Sequence, residues 1–502
     1  MTWALVVWSV VAAWIGGLRW LRVAQREHYL PGVTRFAGVW WLVDWTNMGM
    51  FGVGLIGVVA SFGSLAAGFV SVSVGAVGPI GLGLRGRTSR LAWTERLRRL
   101  AILSGVITTT VSVVGGLFGW IPVVAATPLL TPVLIDVSLR LLAPAERRRG
   151  GRWVAQAEET LRRVAPTVVA ITGSYGKTST KNLVVHLVDD DRAVVPSPAS
   201  FNNRMGLARA INEHVTQGTE VFVAEMGTYG PGEIRALCEW IPPDVAVITA
   251  VGPVHLERMR TIDTVVAAKR EILERAPVAV VSIDHPLLAA VAAEESSSRR
   301  IVTVSGTGAD ADVSCRPDGA VVVDGVPFAR FDPSEAHPVN VAAAVAVARV
   351  LVVDGSAIID RLGRVPPVAH RRSVGRSERG FAIVDDTFNA NPEGARSAVD
   401  LLSGLTSDGG REVVVTPGMV ELGTVQREAN RQFVVDAVER GVTDLVVVGR
   451  TNRRALVAGA REAGLESVIV VDTRDDAVEW VRATLAHGDA VLYENDLPDH
   501  YP

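Results

Sequence analysis

Lysine is nearly missing from this chain: three of its 502 residues are Lys, against 47 Arg. A sequence that takes Arg almost everywhere it needs a cation has kept the amine at three positions only. The two side chains differ physically. Lysine is a compact point charge whose pKa can fall far enough for the neutral amine to react, whereas the guanidinium keeps its proton. Cysteine is as scarce. Cys238 and Cys315 are the only two, too few for a disulfide framework or a four-Cys zinc site, and in keeping with a reducing compartment. Acids are sparse in the first third: residues 1–150 hold 14 Arg, no Lys and five acids, a balance of +9 that leaves −12 for the remainder of a chain totalling −3.

The acid-poor third reads as membrane. Residues 2–17 are apolar, 36–84 form a long stretch broken mainly by Asp44, Asn47 and glycines, and 100–141 form another. A spanning helix needs about 20 apolar residues, so each long stretch is expected to be a helical hairpin, giving about five spans. Arg19, Arg22, Arg26 and Arg35 follow the first span. Arg85, Arg87, Arg90, Arg96, Arg98 and Arg99 follow the third, and Arg140, Arg147, Arg148, Arg149 and Arg152 the last. Basic loops stay cytoplasmic, which places the N-terminus outside and everything after residue 142 inside the cell membrane. With no basic stretch before residue 18 and no small-residue cleavage site, a cleaved signal peptide is not expected. A plain anchor without chemistry of its own accounts for this region equally well.

From residue 166 the pattern is that of a soluble α/β domain. PTVVAIT is a short β-branched run, GSYGKTST a glycine loop, and KNLVVHLV has helical spacing. Strand, glycine loop and helix in that order make an anion cradle: backbone N–H groups point at phosphate and Lys177 adds a full charge. Thr178 would supply a hydroxyl to Mg²⁺. The usual P-loop has four residues before its Gly-Lys pair; here only Ser174 and Tyr175 separate Gly173 from Gly176. Downstream, TEVFVAEMGTYGPGEI ends a strand on Glu225, at the edge where parallel sheets face their ligands, and an oxygen donor there suits Mg²⁺. VAVITAVGPVHLERM repeats the design with His255 and Glu257, and Lys269 follows on TVVAAKREIL. Glu225 as a solvated loop acid, His255 as a structural histidine and Lys269 as a solvated helix charge are the plainer alternatives.

Together these segments resemble the Mur ligase family, the ATP-dependent amide ligases of cell-wall (peptidoglycan) peptide assembly. The carrying residues are GSYGKTSTK (173–181), FNNRMG (201–206), AEMGTYGPGEI (224–234), VGPVHLE (251–257), AAKREIL (267–273), VDDTFNANPEG (384–394) and PGMVELG (417–423). The last two are most similar to the branch that adds D-alanyl-D-alanine to a UDP-muramoyl-tripeptide. The apolar pattern gives an α-helical membrane region over 1–150, and the resemblance implies a P-loop central ATP-binding domain over 151–370 and a Rossmann-like C-terminal domain over 371–502. It also implies that ATP is held by Gly173, Ser174, Tyr175, Gly176, Lys177, Thr178 and Ser179, with Asn340, Arg371, Arg372, Asp386 and Asn389 around adenine, ribose and γ-phosphate. Two Mg²⁺ sites are implied, drawing on Thr178, Glu225, His255 and a carbamylated Lys269. Carbamylation needs a neutral amine, which Arg cannot offer. Lys181 is assigned only a helix-surface or phosphate-proximal place.

The chain departs from the family's pattern at three points. The apolar third stands where the family's UDP-sugar-binding domain would be. The last strand ends Tyr493-Glu494-Asn495-Asp496 instead of in a Lys/Ser/Gly-rich loop. HN-x-x-N appears as Ala336-His337-Pro338-Val339-Asn340, which leaves only the second Asn. The first point suggests a lipid-linked or polymeric acyl substrate in place of a soluble muropeptide, joined to an amino acid or dipeptide amine. The last 130 residues lack GxGxxG, which argues against NAD, and no nucleic-acid partner is expected. Two other readings stay open: a membrane-anchored poly-γ-glutamate-type ligase, and a nucleotide-gated membrane protein that performs no ligation.

Overall fold

The computed structural model describes residues 1–84, 91–198, 201–333, 335–366, 373–387, 391–407, 409–497 and 501. The chain divides into two compact units, Met1–Arg149 with Gly449–Thr451 and Leu497–Pro502, and Gly150–Val448 with Asn452–Asp496.

The first unit is helical. Helices Thr2–Arg26, Glu95–Leu117 and Ile121–Val164 are long and apolar enough to cross a membrane, and the pair Val33–Leu42 and Trp45–Ala60, bent by 111°, passes only if counted as one span. The stretch 100–141 is the expected hairpin. The stretch 36–84 is not. It forms Val33–Leu42, Trp45–Ala60 and Leu65–Val77, so the described residues hold three helices long and apolar enough to cross a membrane, or four with the bent pair counted as one, beside the expected five. Polar caps cut the run. The Asp44 carboxylate accepts from the Asn47 N–H and starts one helix, and the Ser64 hydroxyl accepts from Ala67 and starts the next. A side chain that captures a first-turn N–H ends the preceding segment as surely as a charge would.

The second unit contains two sheets. The larger runs over β1 (Thr167–Thr172), β2 (Val194–Pro196), β3 (Val221–Glu225), β4 (Val245–Ile248), β5 (Val278–Ser282), β6 (Arg300–Ser305), β7 (Val313–Cys315), β8 (Ala320–Val323) and β9 (Val326–Arg330). Their order is β2-β3-β1-β4-β5-β6-β7-β8-β9, parallel from β2 to β7. The central strands are continuous apolar runs because both faces are covered, as parallel sheets require. One face packs on helices Arg204–His214, Glu233–Cys238, Ile262–Arg270 and Pro286–Glu295 through residues such as Leu207, Ile211, Ile234 and Val265. The other packs on Lys177–Val188 and Pro338–Val350 through Leu183, Leu187 and the Ala342–Ala348 run. Small residues on every side let Pro338–Val350 lie inside the core.

The smaller sheet runs over β10 (Ser373–Arg376), β11 (Ala382–Asp386), β12 (Glu412–Thr416), β13 (Asp444–Val448), β14 (Ser467–Val471) and β15 (Ala490–Glu494), in the order β10-β11-β15-β12-β13-β14. Only β10 is antiparallel, and β15 lies between β11 and β12.

Candidate active site

The loop 173–176 leaves the C-terminal end of β1, which lies between β3 and β4. It is braced from behind. The Ser174 N–H donates to the Ala250 carbonyl at 2.8 Å, and the Thr249 hydroxyl donates to the Tyr175 carbonyl at 2.5 Å. Gly176 has φ +77°, and a Cβ there would run into Asn340 Oδ1. Gly173 is glycine for a matching reason: its Cβ would meet the Thr249 hydroxyl. Gly176 caps the helix Lys177–Val188 in left-handed conformation, and having no side chain it cannot itself cap the first-turn N–H groups that an anion could take. Ser179 stands half-buried in the first turn. Lys177 curls back, its Nζ donating to the Gly173 carbonyl at 2.8 Å. Asn340 is buried behind the loop and accepts from the Thr180 hydroxyl at 3.2 Å.

Glu225 ends β3 and pairs in register with Ile171, beside the loop's entrance. It is 3% exposed. Its Oε2 accepts from Thr178 Oγ1 at 2.9 Å and from Lys181 Nζ at 3.2 Å, and its Oε1 accepts from Asn202 Nδ2 at 3.3 Å. Burial pushes this carboxyl's pKa up, but the charges of Lys181 and Lys177 and the hydrogen bonds from Thr178 and Lys181 outweigh it and hold the pKa below the ordinary value. Glu225 is therefore an anion wherever the protein is folded near neutrality.

Lys181 is not on the helix surface. It is 2% exposed and joins Glu225 to the Ser197 carbonyl, 2.8 Å away. The sequence spacing hid this because Lys181 finds its partners on β3 and after β2, strands set by tertiary pairing.

Lys269 ends the buried face of helix Ile262–Arg270 and is 3% exposed. Burial first, and the Lys177 charge second, push its pKa well below the usual lysine range. Its amine is thus available in neutral form. His255, in left-handed backbone conformation, caps Leu256–Met259. Its Nδ1 lies 2.5 Å from Glu421 Oε2, and its ring meets Tyr229 edge-on with centroids 5.1 Å apart. The Leu256 N–H also donates to the Glu421 carbonyl at 3.0 Å, so the PGMVELG loop after β12 reaches the VGPVHLE loop after β4.

Asp386 ends β11 in register with Glu494 on β15. Arg371, Arg372 and Asn389 lie outside the described residues. Sequence reasoning passed over Glu494 as a chemical group. It is fully buried, accepts from the Thr416 hydroxyl, and its pKa is pushed up to about 8 by burial and by Asp386, against the pull of Thr416.

The donor set can be tested against the implied ion and nucleotide. Among the described residues no three His, Cys, Asp or Glu side chains converge on one point. An ionised carboxylate bonded to a threonine hydroxyl, beside an anion cradle, is the partial oxygen set of Mg²⁺, an ion bound by one or two carboxylates plus phosphate oxygens and water. The residues fit both groups.

Comparison with known proteins agrees with this architecture. The Mur ligase middle domain matches residues 171–343, and the Mur ligase glutamate ligase domain matches residues 370–493. The chain belongs to the Mur ligase family. This Mur ligase is 30% identical over 268 residues to the UDP-N-acetylmuramoyl-tripeptide–D-alanyl-D-alanine ligase of Mycobacterium leprae (strain TN), covering 48% of this chain and 51% of that one. To the Bacillus subtilis (strain 168) ligase of the same name it is 28% identical over 301 residues, 57% and 64% of the two chains. The crystal structure of MurF ligase from Thermotoga maritima in complex with ADP superposes with a TM-score of 0.57 at 26% identity, over 69% of this Mur ligase and 80% of that chain. This chain spans about half to two thirds of the length of these curated relatives.

Proposed function

We propose that this Mur ligase is a membrane-anchored, Mg²⁺- and ATP-dependent carboxylate–amine ligase that joins D-alanyl-D-alanine or a related amine to a muropeptide in peptidoglycan precursor synthesis. The observation that carries the reading is the buried carboxylate beside the glycine loop: Glu225 accepts from both Thr178 and Lys181, and the Lys177 charge acts on it as well. The relatives' names supply the muropeptide and the D-alanyl-D-alanine, and the ADP of the Thermotoga maritima structure supports the nucleotide.

A carboxylate is a poor electrophile because its leaving group would be oxide. Transfer of the γ-phosphoryl group of ATP makes an acyl phosphate and releases ADP. The incoming amine then displaces phosphate and leaves an amide. Here the chain's share is to bring two anions together. Two unit charges 4 Å apart repel by about 4 kcal/mol at an effective dielectric of 20. Lys177 and the N-terminus of helix Lys177–Val188 offset that repulsion at the phosphates. Thr178 and Glu225 would hold one Mg²⁺, His255 and a carbamylated Lys269 a second. Bound Mg²⁺ supplies further charge neutralisation on the phosphoryl oxygens. The neutral Lys269 amine is the form that can add CO₂. Residues 151–370 would bind ATP and residues 371–502 present the amine. The helices of residues 1–150 would hold both on the cytoplasmic face, with the N-terminus outside. That anchoring favours a lipid-linked muropeptide as the acyl substrate.

The test is phosphate release by the purified full chain, screened over amino acids and dipeptides with soluble and lipid-linked muropeptides. An amine-stimulated release that Lys269→Ala abolishes and short carboxylates partly restore is expected. Nucleotide-dependent behaviour that survives Lys269→Ala, with no amide formed, would replace ligation by nucleotide gating.

A further inference from the structure

We infer that Lys181 is a positioning residue for Glu225, fixing which carboxylate oxygen is offered to the metal ion. The inference deepens the ligase reading and rests on it.

Lys181 lies one turn beyond Lys177 on the same helix. Its ammonium is clamped between the Ser197 carbonyl at 2.8 Å and Glu225 Oε2 at 3.2 Å, in an ion pair whose side chains are 3% and 4% exposed. Ser197 holds the other end of the same residue: the Glu225 backbone N–H donates to its hydroxyl at 3.0 Å. One serine therefore locks both the cation and the strand that carries the anion.

The two oxygens of Glu225 are unequal as a result. Oε2 takes a charged donor, Lys181, and a hydroxyl bond from Thr178 within the ordinary range. Oε1 takes one neutral amide at 3.3 Å, beyond the usual range for such bonds. The Thr178 proton is committed to Oε2, so its oxygen lone pairs and those of Glu225 Oε1 are the hard donors left for a divalent cation.

A buried carboxylate that loses a direct ionic partner is left less compensated, and it protonates more readily or turns toward solvent. The slot also explains why an arginine-rich chain keeps the amine here. A compact ammonium fits between a carbonyl and a carboxylate oxygen, whereas the planar guanidinium fork needs space that a fully packed strand-helix junction does not have.

The experiment is binding of a fluorescent ATP analogue to the detergent-solubilised full chain as free Mg²⁺ is varied. The chains compared are wild type, Lys181→Met, Glu225→Gln and the double variant. Lys181→Met should need about tenfold more Mg²⁺ for half-maximal binding, the loss expected for one charge-assisted hydrogen bond to a ligand group. Because Lys181 acts through Glu225, the double variant should match Glu225→Gln within about twofold. The double variant leaves no unpaired buried charge, so its comparison with Glu225→Gln decides the matter even if Lys181→Met fails to fold. A wild-type Mg²⁺ requirement in Lys181→Met, or a further loss in the double variant beyond Glu225→Gln, overturns the inference. Wild type that binds no nucleotide at any Mg²⁺ concentration brings down the ligase reading and this inference with it.

Discussion

At the end of β15 the Glu494 carboxyl is enclosed on all sides, takes a hydrogen bond from Thr416 and faces the Asp386 charge. Its pKa of about 8, against an ordinary 4.5, is a statement about stability. Between those two pH values the folded chain keeps a proton that the unfolded chain has released, so the folded state binds more protons. Stability is then greatest below the unfolded value and falls as pH rises through the folded one. Glu494→Gln, which cannot ionise, should therefore raise the melting temperature at pH 8–9 and leave it nearly unchanged near pH 4.5. Thermal melts at several pH values check this, and a gain equal at all pH values would speak against a titrating Glu494. Lys269 is the mirror case, a base whose pKa burial pushes down toward the neutral amine. A ¹³C-carbonate NMR experiment should show a carbamate signal in the wild type that Lys269→Arg lacks. The neighbouring placement of Lys177, Thr178 and Glu225 was legible because each sits in a local pattern, a glycine loop or a strand end. The burial of Lys181 and the pairing of His255 with Glu421 were not, because their partners arrive from strands far away in sequence.

Among the elements, the glycine loop and the helix after it depend on a neighbour from a distant helix. Asn340, on the buried helix Pro338–Val350, fills the space in which a Gly176 side chain would have to stand. Gly176→Ala should displace Asn340, strain a left-handed backbone position and weaken nucleotide binding by about tenfold or more, measured by titration with the same fluorescent analogue. Overpacking that helix gives a different signature. Ala344→Leu, at a position with no exposure, should destabilise the fold by about 1–3 kcal/mol in denaturant melts while the surviving folded fraction binds nucleotide normally. The alternation of apolar strands with helices could be read from the chain; the strand order, with β15 between β11 and β12, could not. The three-helix outcome for residues 33–77 could not. A hydropathy count registers how many residues are apolar, whereas the helix starts are set by single hydrogen bonds from Asp44 and Ser64.

For the molecule as a whole, the charge asymmetry and the long apolar helices make the same demand. The full chain should stay with membranes after alkaline carbonate washing, detected by immunoblot, and release into the wash would remove the anchor from the proposed function. The two thiols report on the other unit. Cys238 and Cys315 are buried, and burial pushes both up to about 12.

The placement of the lysines has a practical side. Most proteins scatter dozens of ε-amines over their surface, so reagents that acylate amines label them everywhere. Here two of the three ε-amines are enclosed and the third lies half-buried in the phosphate loop. An activated ester should therefore attach at the α-amine and at Lys177 and leave the rest of the chain untouched. Mass spectrometry of the digested adduct then becomes a direct occupancy assay, since a nucleotide in the loop shields the one ε-amine within reach.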